Sequence, residues 1–131
     1  MNECVTEFFM PMIPPTVTAQ MHRVNKRGQI YDSPELADAR HKLTAYLSQH
    51  VPEKPYTCGV RLTVKWLFPK GRHKSGEYRI TRPDTDNLQK LLKDCMTKCG
   101  YWKDDALVAS EIIEKFWAST SGIYVRIEEL P

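Results

Sequence analysis

Two groups of carboxylates carry the types and spacing that could do chemistry. Asp84 and Asp86 sit two residues apart in Arg82-Pro83-Asp84-Thr85-Asp86-Asn87-Leu88-Gln89-Lys90, and Asp104-Asp105 come later in Tyr101-Trp102-Lys103-Asp104-Asp105. Carboxylates brought into one place repel unless they are protonated or bridged by a cation. Hard oxygen donors, few in number and leaving room for water, suit Mg²⁺ or Mn²⁺. Such an ion polarises a phosphoryl oxygen and lowers the pKa of a bound water, the chemistry of phosphodiester hydrolysis. Lys90, one helical turn beyond Asp86, can orient that water or steady transition-state charge. It can equally form an Asp86–Lys90 helix pair worth a few tenths of a kcal/mol, and spacing alone favours the pair. The aspartates also have a plain reading, with Asp86 a helix cap, Asp104-Asp105 a turn and Asp84 a surface residue. Asp-x-Asp by itself is a weak signal, so chemistry alone supports metal-dependent phosphoryl transfer and nothing narrower.

The elements around these residues decide whether they can meet. Leu88, Leu91, Leu92, Cys95 and Cys99 recur at helical spacing, with Asp86 placed as N-cap and Gly100 past the last turn. A helix of about a dozen residues runs about 18 Å, so Asp104 and Asp105 must return over the next turn of chain to approach the first pair. Upstream, residues 5–10 read as a strand closed by Pro11. Ser33-Pro34 reads as the start of a helix carrying Leu36, Ala39, Leu43, Tyr46 and Leu47 on one stripe and ending near Val51-Pro52. Residues 58–68 alternate apolar and polar in strict period two, a strand with one buried face that Pro69 stops. Residues 108–117 and 123–130 read as two more strands, joined into an antiparallel pair by a turn at 119–122. The expected architecture is α/β: a single small domain, residues 1–131, with a mixed β-sheet packed by two main helices. Tyr101 and Trp102 could stack on an unpaired base, but buried packing is the commoner fate of such aromatics.

Two loops concentrate positive charge. Residues 22–29 carry Arg23, Lys26 and Arg27 without an acidic neighbour, and read either as a solvated loop or as a phosphate-contacting one. Residues 70–82 carry Lys70, Arg72, Lys74, Arg79 and Arg82 against the single acid Glu77. With the Asp84 cluster directly after it, this segment reads as a basic flexible loop that grips a polyanion.

Composition sets the outer bounds. The chain has 131 residues, 27% charged and 41% hydrophobic, enough for one domain with a proper core. Its net charge of +3 does not by itself single out a nucleic-acid binder. No apolar run approaches the roughly 20 residues that cross a bilayer, and Glu3 and Glu7 stand where a signal peptide would be basic then apolar, so no membrane association and a cytoplasmic location are expected. Cys4, Cys58, Cys95 and Cys99 include no Cys-x-x-Cys, and His22, His41, His50 and His73 lie at no recognised zinc spacing from them; reduced thiols and no zinc are expected.

Arg82-Pro83-Asp84-x-Asp86-Asn87-Leu88-x-Lys90, together with Gly100-Tyr101-Trp102-Lys103-Asp104-Asp105-x-x-Val108, resembles the RusA family of Holliday-junction resolvases, small endonucleases often encoded by phages and prophages. The resemblance extends upstream to Pro14-Pro15, the basic loop at 23–28 and the approach at 31–33 to the first helix. It implies a dimeric α/β endodeoxyribonuclease that binds four-way DNA junctions and uses Mg²⁺, with Mn²⁺ able to substitute, to nick two opposing strands in recombination and repair. By matching positions it implies Asp84, Asp86 and Asp105 as metal-binding catalytic residues and Lys90 as a functional lysine, which reverses the reading from spacing; Asp104 either supports the site or shapes the turn. Arg23, Lys26, Arg27, Lys70, Arg72, Lys74, Arg79 and Arg82 become the expected DNA contacts, and a homodimer the expected assembly, since one site cuts one strand. The 70–82 segment is longer than in the best-known members, and Thr-Val-Thr-Ala comes after Pro15 where asparagine is frequent. Two alternatives stand beside this reading: a metal-dependent nuclease for forks or flaps, and a branched-DNA binding protein without activity.

Overall fold

The computed structural model describes residues 5–18 and 22–131, leaving Cys4 and the N-terminal acid Glu3 outside the described residues. The strand expected at the start is β1, Val5–Met10. The basic loop after it is a β-hairpin, β2 (His22–Val24) and β3 (Ile30–Asp32), not an irregular segment. The Asn25 side chain builds its turn, accepting from the Arg27 and Gln29 amides at 2.9 Å each, while Gly28 takes a φ of 77°. An asparagine that satisfies backbone donors two and four residues on, next to a residue free to be left-handed, explains why the chain reverses here.

Helix α1, Pro34–Leu47, starts as its sequence predicts: Ser33 Oγ accepts from the Leu36 amide at 3.2 Å, and Pro34 needs no partner in the first turn. It ends a turn before the expected Val51-Pro52, with Leu36, Ala39, Leu43 and Leu47 buried. Strand β4, Val60–Pro69, buries Val60, Leu62, Val64, Trp66 and Phe68 on one face. Helix α2, Thr85–Cys99, buries Leu88, Leu91, Leu92, Cys95 and Met96, and Gly100 closes it at φ 93°. Strands β5 (Val108–Ala118) and β6 (Gly122–Glu129) complete the chain. Both helices join the apolar face of the sheet in a single core, giving a two-layer α/β domain. Among the described residues no helix is long and apolar enough to cross a membrane.

The sheet order β1-β6-β4-β5 corrects one expectation: β5 and β6 are not a hairpin. β4 lies between them, parallel to β5 from Arg61↔Ser110 to Pro69↔Ala118 and antiparallel to β6 from Val60↔Glu129 to Leu67↔Gly122. A β5–β6 pair would have left one edge of β4 unpaired although its side chains form the middle of the core, and buried backbone groups need partners. The chain therefore crosses the end of β4 at residues 119–121. Gly122, assigned from sequence to the turn, is the first residue of β6, and a Cβ there would lie 2.0 Å from the Phe9 ring. Only a residue without a side chain lets Phe9 of β1 lie across the strand.

Candidate functional site

The helix containing the first two aspartates begins earlier than the apolar stripe suggests, and this changes their roles. Asp84, not Asp86, is the N-cap of α2, with extended backbone (φ −74°, ψ 148°), and its side chain makes no capping hydrogen bond. Asp86 lies inside the first turn, where free amides and the helix dipole favour a negative charge. The two carboxylates thus stand on the cap and first turn rather than on an extended lead-in. Four positions then share one side of α2 by helical spacing: Asp86, Gln89, Lys90 and Lys93.

The second cluster returns to this side. Gly100 reverses the chain, and two buried aromatics anchor the returning segment: the Tyr101 hydroxyl donates to the Leu47 carbonyl at 2.6 Å, and Trp102 Nε1 donates to Thr97 Oγ1 at 2.8 Å. Both belong to the core and offer no surface for base stacking. Burial pushes the Tyr101 phenol far above its ordinary pKa, so it stays a donor at any working pH. Asp104 then caps a single 3₁₀ turn, Asp105–Leu107, its Oδ1 accepting from the Ala106 amide at 2.9 Å. Asp104 shapes the turn, and Asp105 is the acid that the turn presents.

Asp86, Gln89, Lys90, Lys93, Asp105, Glu111 and Ile113 line one cleft of about 310 Å³ between α2, the 3₁₀ turn and β5. The structure thus brings together Asp86, Asp105 and Lys90. Asp84 is not among the lining residues; it stands at the helix start close enough to Lys115 to act on its pKa. Among the described residues no three His, Cys, Asp or Glu side chains are gathered closely enough to hold a metal ion. Lys90 pairs with Asp94 at 3.7 Å, one turn onward, and not with Asp86. Lys93 reaches across to Glu111 at 2.6 Å and ties α2 to β5.

Lys115 and Glu111 join the site without being singled out by motif or spacing, although the sequence does carry a signal for them. Glu111, Ile113 and Lys115 are two apart on a strand evident from its apolar pattern, which puts them on one face. Lys115 Nζ donates to the Thr81 carbonyl at 2.7 Å and the Pro83 carbonyl at 2.6 Å, fixing the backbone that leads into Asp84. Burial, then the nearby Arg79 charge, lower its ammonium pKa, and Asp84 pulls the other way.

The 70–82 segment lies back along the outer edge of β5. Gly76 and Arg79 amides donate to the Trp117 and Lys115 carbonyls at 2.8 and 2.9 Å, Trp117 donates to Glu77, and Tyr78 bridges to Phe116. The Arg79 guanidinium is 4.2 Å from the Phe68 ring centre and 4.5 Å from that of Trp117, and donates to the Arg82 carbonyl. Burial there lowers its pKa from the ordinary value. Arg79 is therefore engaged by the protein itself, whereas Arg72, Lys74 and Arg82 are exposed and Lys70 is half-buried. Arg23, Lys26 and Arg27 are exposed on the β2–β3 hairpin. The thiols of Cys95 and Cys99 are raised in pKa mainly by burial, as packing residues should be.

Comparison with known proteins places the chain in a family. A family model described as Endodeoxyribonuclease RusA matches residues 12–128. A crossover junction endodeoxyribonuclease of Lactococcus phage r1t is 27% identical over 128 residues, covering 95% of this chain and 96% of its own. A protein of the same name from Shigella sonnei is 28% identical over 98 residues, 75% of this chain and 74% of its own. With the match running from just after β1 to the last strand of the sheet, the chain belongs to the RusA family of endodeoxyribonucleases.

Proposed function

We propose that the protein is a divalent-metal-dependent endodeoxyribonuclease that resolves four-way DNA junctions, acting as a homodimer in recombination and repair in a bacterial cytoplasm, encoded by a phage or prophage. The observation that carries this reading is the shared cleft of Asp86, Asp105 and Lys90 in a chain whose relatives are crossover junction endodeoxyribonucleases. The donor chemistry fits a hard divalent cation that keeps several waters: besides Glu111, which Lys93 engages, Asp86 and Asp105 face the cleft, and Asp84, outside its lining, is not used up by capping. Asp86 and Asp105 would hold the ion, with Asp84 at the start of the same helix as the further carboxylate the family resemblance implies; Mg²⁺ suits such ligands and Mn²⁺ should substitute. When bound, the ion supplies neutralisation of phosphoryl charge and a water of lowered pKa.

The chain's own groups do the rest. Lys90 sits at the mouth of the cleft, two-thirds exposed, where exchange from Asp94 to a phosphate oxygen is cheap because an exposed i,i+4 pair is worth only a few tenths of a kcal/mol. Lys115 holds the Thr81 and Pro83 carbonyls and so orients the Asp84 cap. Lys26 and Arg27 on the hairpin and Lys70, Arg72, Lys74 and Arg82 near the edge of β5 supply cations for the DNA backbone, with Arg23 beside the hairpin pair; Arg79 braces the segment that carries the later four.

The test uses purified protein with a synthetic four-way junction, a fork, a flap and linear duplex, with and without Mg²⁺. Paired nicks in opposing strands of the junction alone are expected. Preferential cutting of forks or flaps would replace the substrate, and binding without cutting in either Mg²⁺ or Mn²⁺ would overturn the nuclease reading.

A further inference from the structure

Gln89 is buried to 2% exposure on α2, and neither its Oε1 nor its Nε2 has a hydrogen-bond partner. Leaving a buried carboxamide unpaired is costly at both ends, and a leucine or methionine would sit on a helix interior at no such cost. Trp66 Nε1 is the other unpartnered buried side-chain atom among the described residues, but Trp66 belongs to the middle of the sheet core. Gln89 lines the cleft shared by Asp86, Asp105, Lys90 and Glu111. One turn of helix separates it from Asp86, so both face the same space.

We propose that Gln89 is a positioning residue of this cleft, whose carboxamide is completed by the hydration shell of a divalent cation held by Asp86 and Asp105. Oε1 accepts a hydrogen bond from a hydrating water, and Nε2 donates to an oxygen of a carboxylate drawn toward the ion. A carboxamide suits this task because it supplies one acceptor and two donors without adding charge to a site already rich in carboxylates. Its rigidity comes from burial on the helix beside Leu88, Leu91 and Leu92. This inference rests on the assignment of Asp86 and Asp105 as the cation's ligands.

The experiment tracks the Gln89 side-chain NH₂ pair by ¹H–¹⁵N NMR while Mg²⁺ is added to the DNA-free protein, the pair being assigned by its loss in Gln89→Met. The pair should shift saturably with Mg²⁺ in the wild type and stay fixed in Asp86→Asn. Gln89→Met should melt at or above the wild-type temperature, because it removes two unpaired polar atoms, yet bind Mn²⁺ at least about fivefold more weakly and cleave a junction more slowly at saturating Mn²⁺. An NH₂ pair that ignores Mg²⁺, or a Gln89→Met protein with wild-type Mn²⁺ affinity, overturns the inference. A Gln89→Met protein that is less stable shows a structural role and also overturns it. If Asp86→Asn binds Mn²⁺ as tightly as the wild type, the ligand assignment itself fails; if it loses Mn²⁺ while Gln89→Met does not, only the role of Gln89 fails.

Discussion

At the scale of single residues, the site depends on which carboxylates are free to act. Asp86 faces the cleft with Asp105, and Asp84 keeps its side chain out of the capping bond that its position would ordinarily invite. Asp86→Asn should therefore lower junction cleavage by about a hundredfold or more, the scale seen when a preorganised electrostatic partner is removed. Junction binding should hold or tighten, since a negative charge beside the phosphate is removed; gel-shift titration in EDTA measures this, and a loss of binding would point to a structural role in the first turn. Lys115 acts one step further away. Lys115→Met leaves the Thr81 and Pro83 carbonyls without their donor, so the Asp84 backbone loses its anchor. Cleavage should fall by about ten- to a hundredfold, as small misplacements of catalytic groups do, with Mg²⁺-independent junction binding little changed. Unchanged single-turnover cleavage would remove Lys115 from the site. Local spacing points to Asp84, Asp86 and the Asp104-Asp105 pair, and the family resemblance adds Lys90 and selects Asp105; neither points to Lys115, because Lys115 works through a segment more than thirty residues away in sequence.

At the scale of elements, helices and strands are largely legible in the sequence and their neighbours are not. The stripes of α1 and α2 and the alternation of β4 each report one buried face, which is a local property. The boundary of α2 is not local in this way: the apolar stripe starts at Leu88, so it hides the polar first turn Thr85-Asp86-Asn87 and moves the expected cap from Asp84 to Asp86. The pairing of β5 and β6 is equally hidden, because residues 119–122 look like a hairpin turn, whereas the partner of each strand is chosen by the unpaired edges of β4. Gly122 carries that choice. Gly122→Ala places a methyl group against the Phe9 ring and should cost about 1–3 kcal/mol by overpacking. In a Phe9→Ala background most of that cost should disappear. Urea unfolding of the wild type, both single variants and the double variant gives the coupling; additive effects would mean that the close approach of β1 and β6 at this point does not limit stability.

At the scale of the whole molecule, charge and symmetry decide how a domain of this size handles branched DNA. The net charge of +3 is small, but exposed cations are grouped on the β2–β3 hairpin and on residues 70–82, which lead into the start of α2. Replacing Arg72, Lys74 and Lys26 by glutamine should weaken junction binding and reduce the slope of log K against log salt by about two to three, close to one unit for each phosphate no longer neutralised. Arg79 is left out of that set because its guanidinium lies over the Phe68 and Trp117 rings, so its removal would disturb the segment and confuse the measurement. An unchanged slope would separate these cations from the DNA backbone.

Symmetry sets the final expectation. Each chain has one cleft with Asp86 and Asp105, and a junction resolved evenly requires two cuts in strands related by a two-fold axis. A homodimer provides two such clefts in fixed relation; two independent monomers would cut at unrelated times and leave singly nicked junctions. Mixing wild-type chains with an affinity-tagged Asp86→Asn chain, and isolating the mixed dimer, makes the difference measurable. The mixed dimer should nick one strand at close to the wild-type rate and leave the opposing strand intact, so that junctions accumulate with a single nick in a supercoiled cruciform plasmid. Paired cuts from the mixed species would mean that one cleft visits both strands, and failure to form a mixed species at all, with monomers on sedimentation, would remove the dimer from the mechanism.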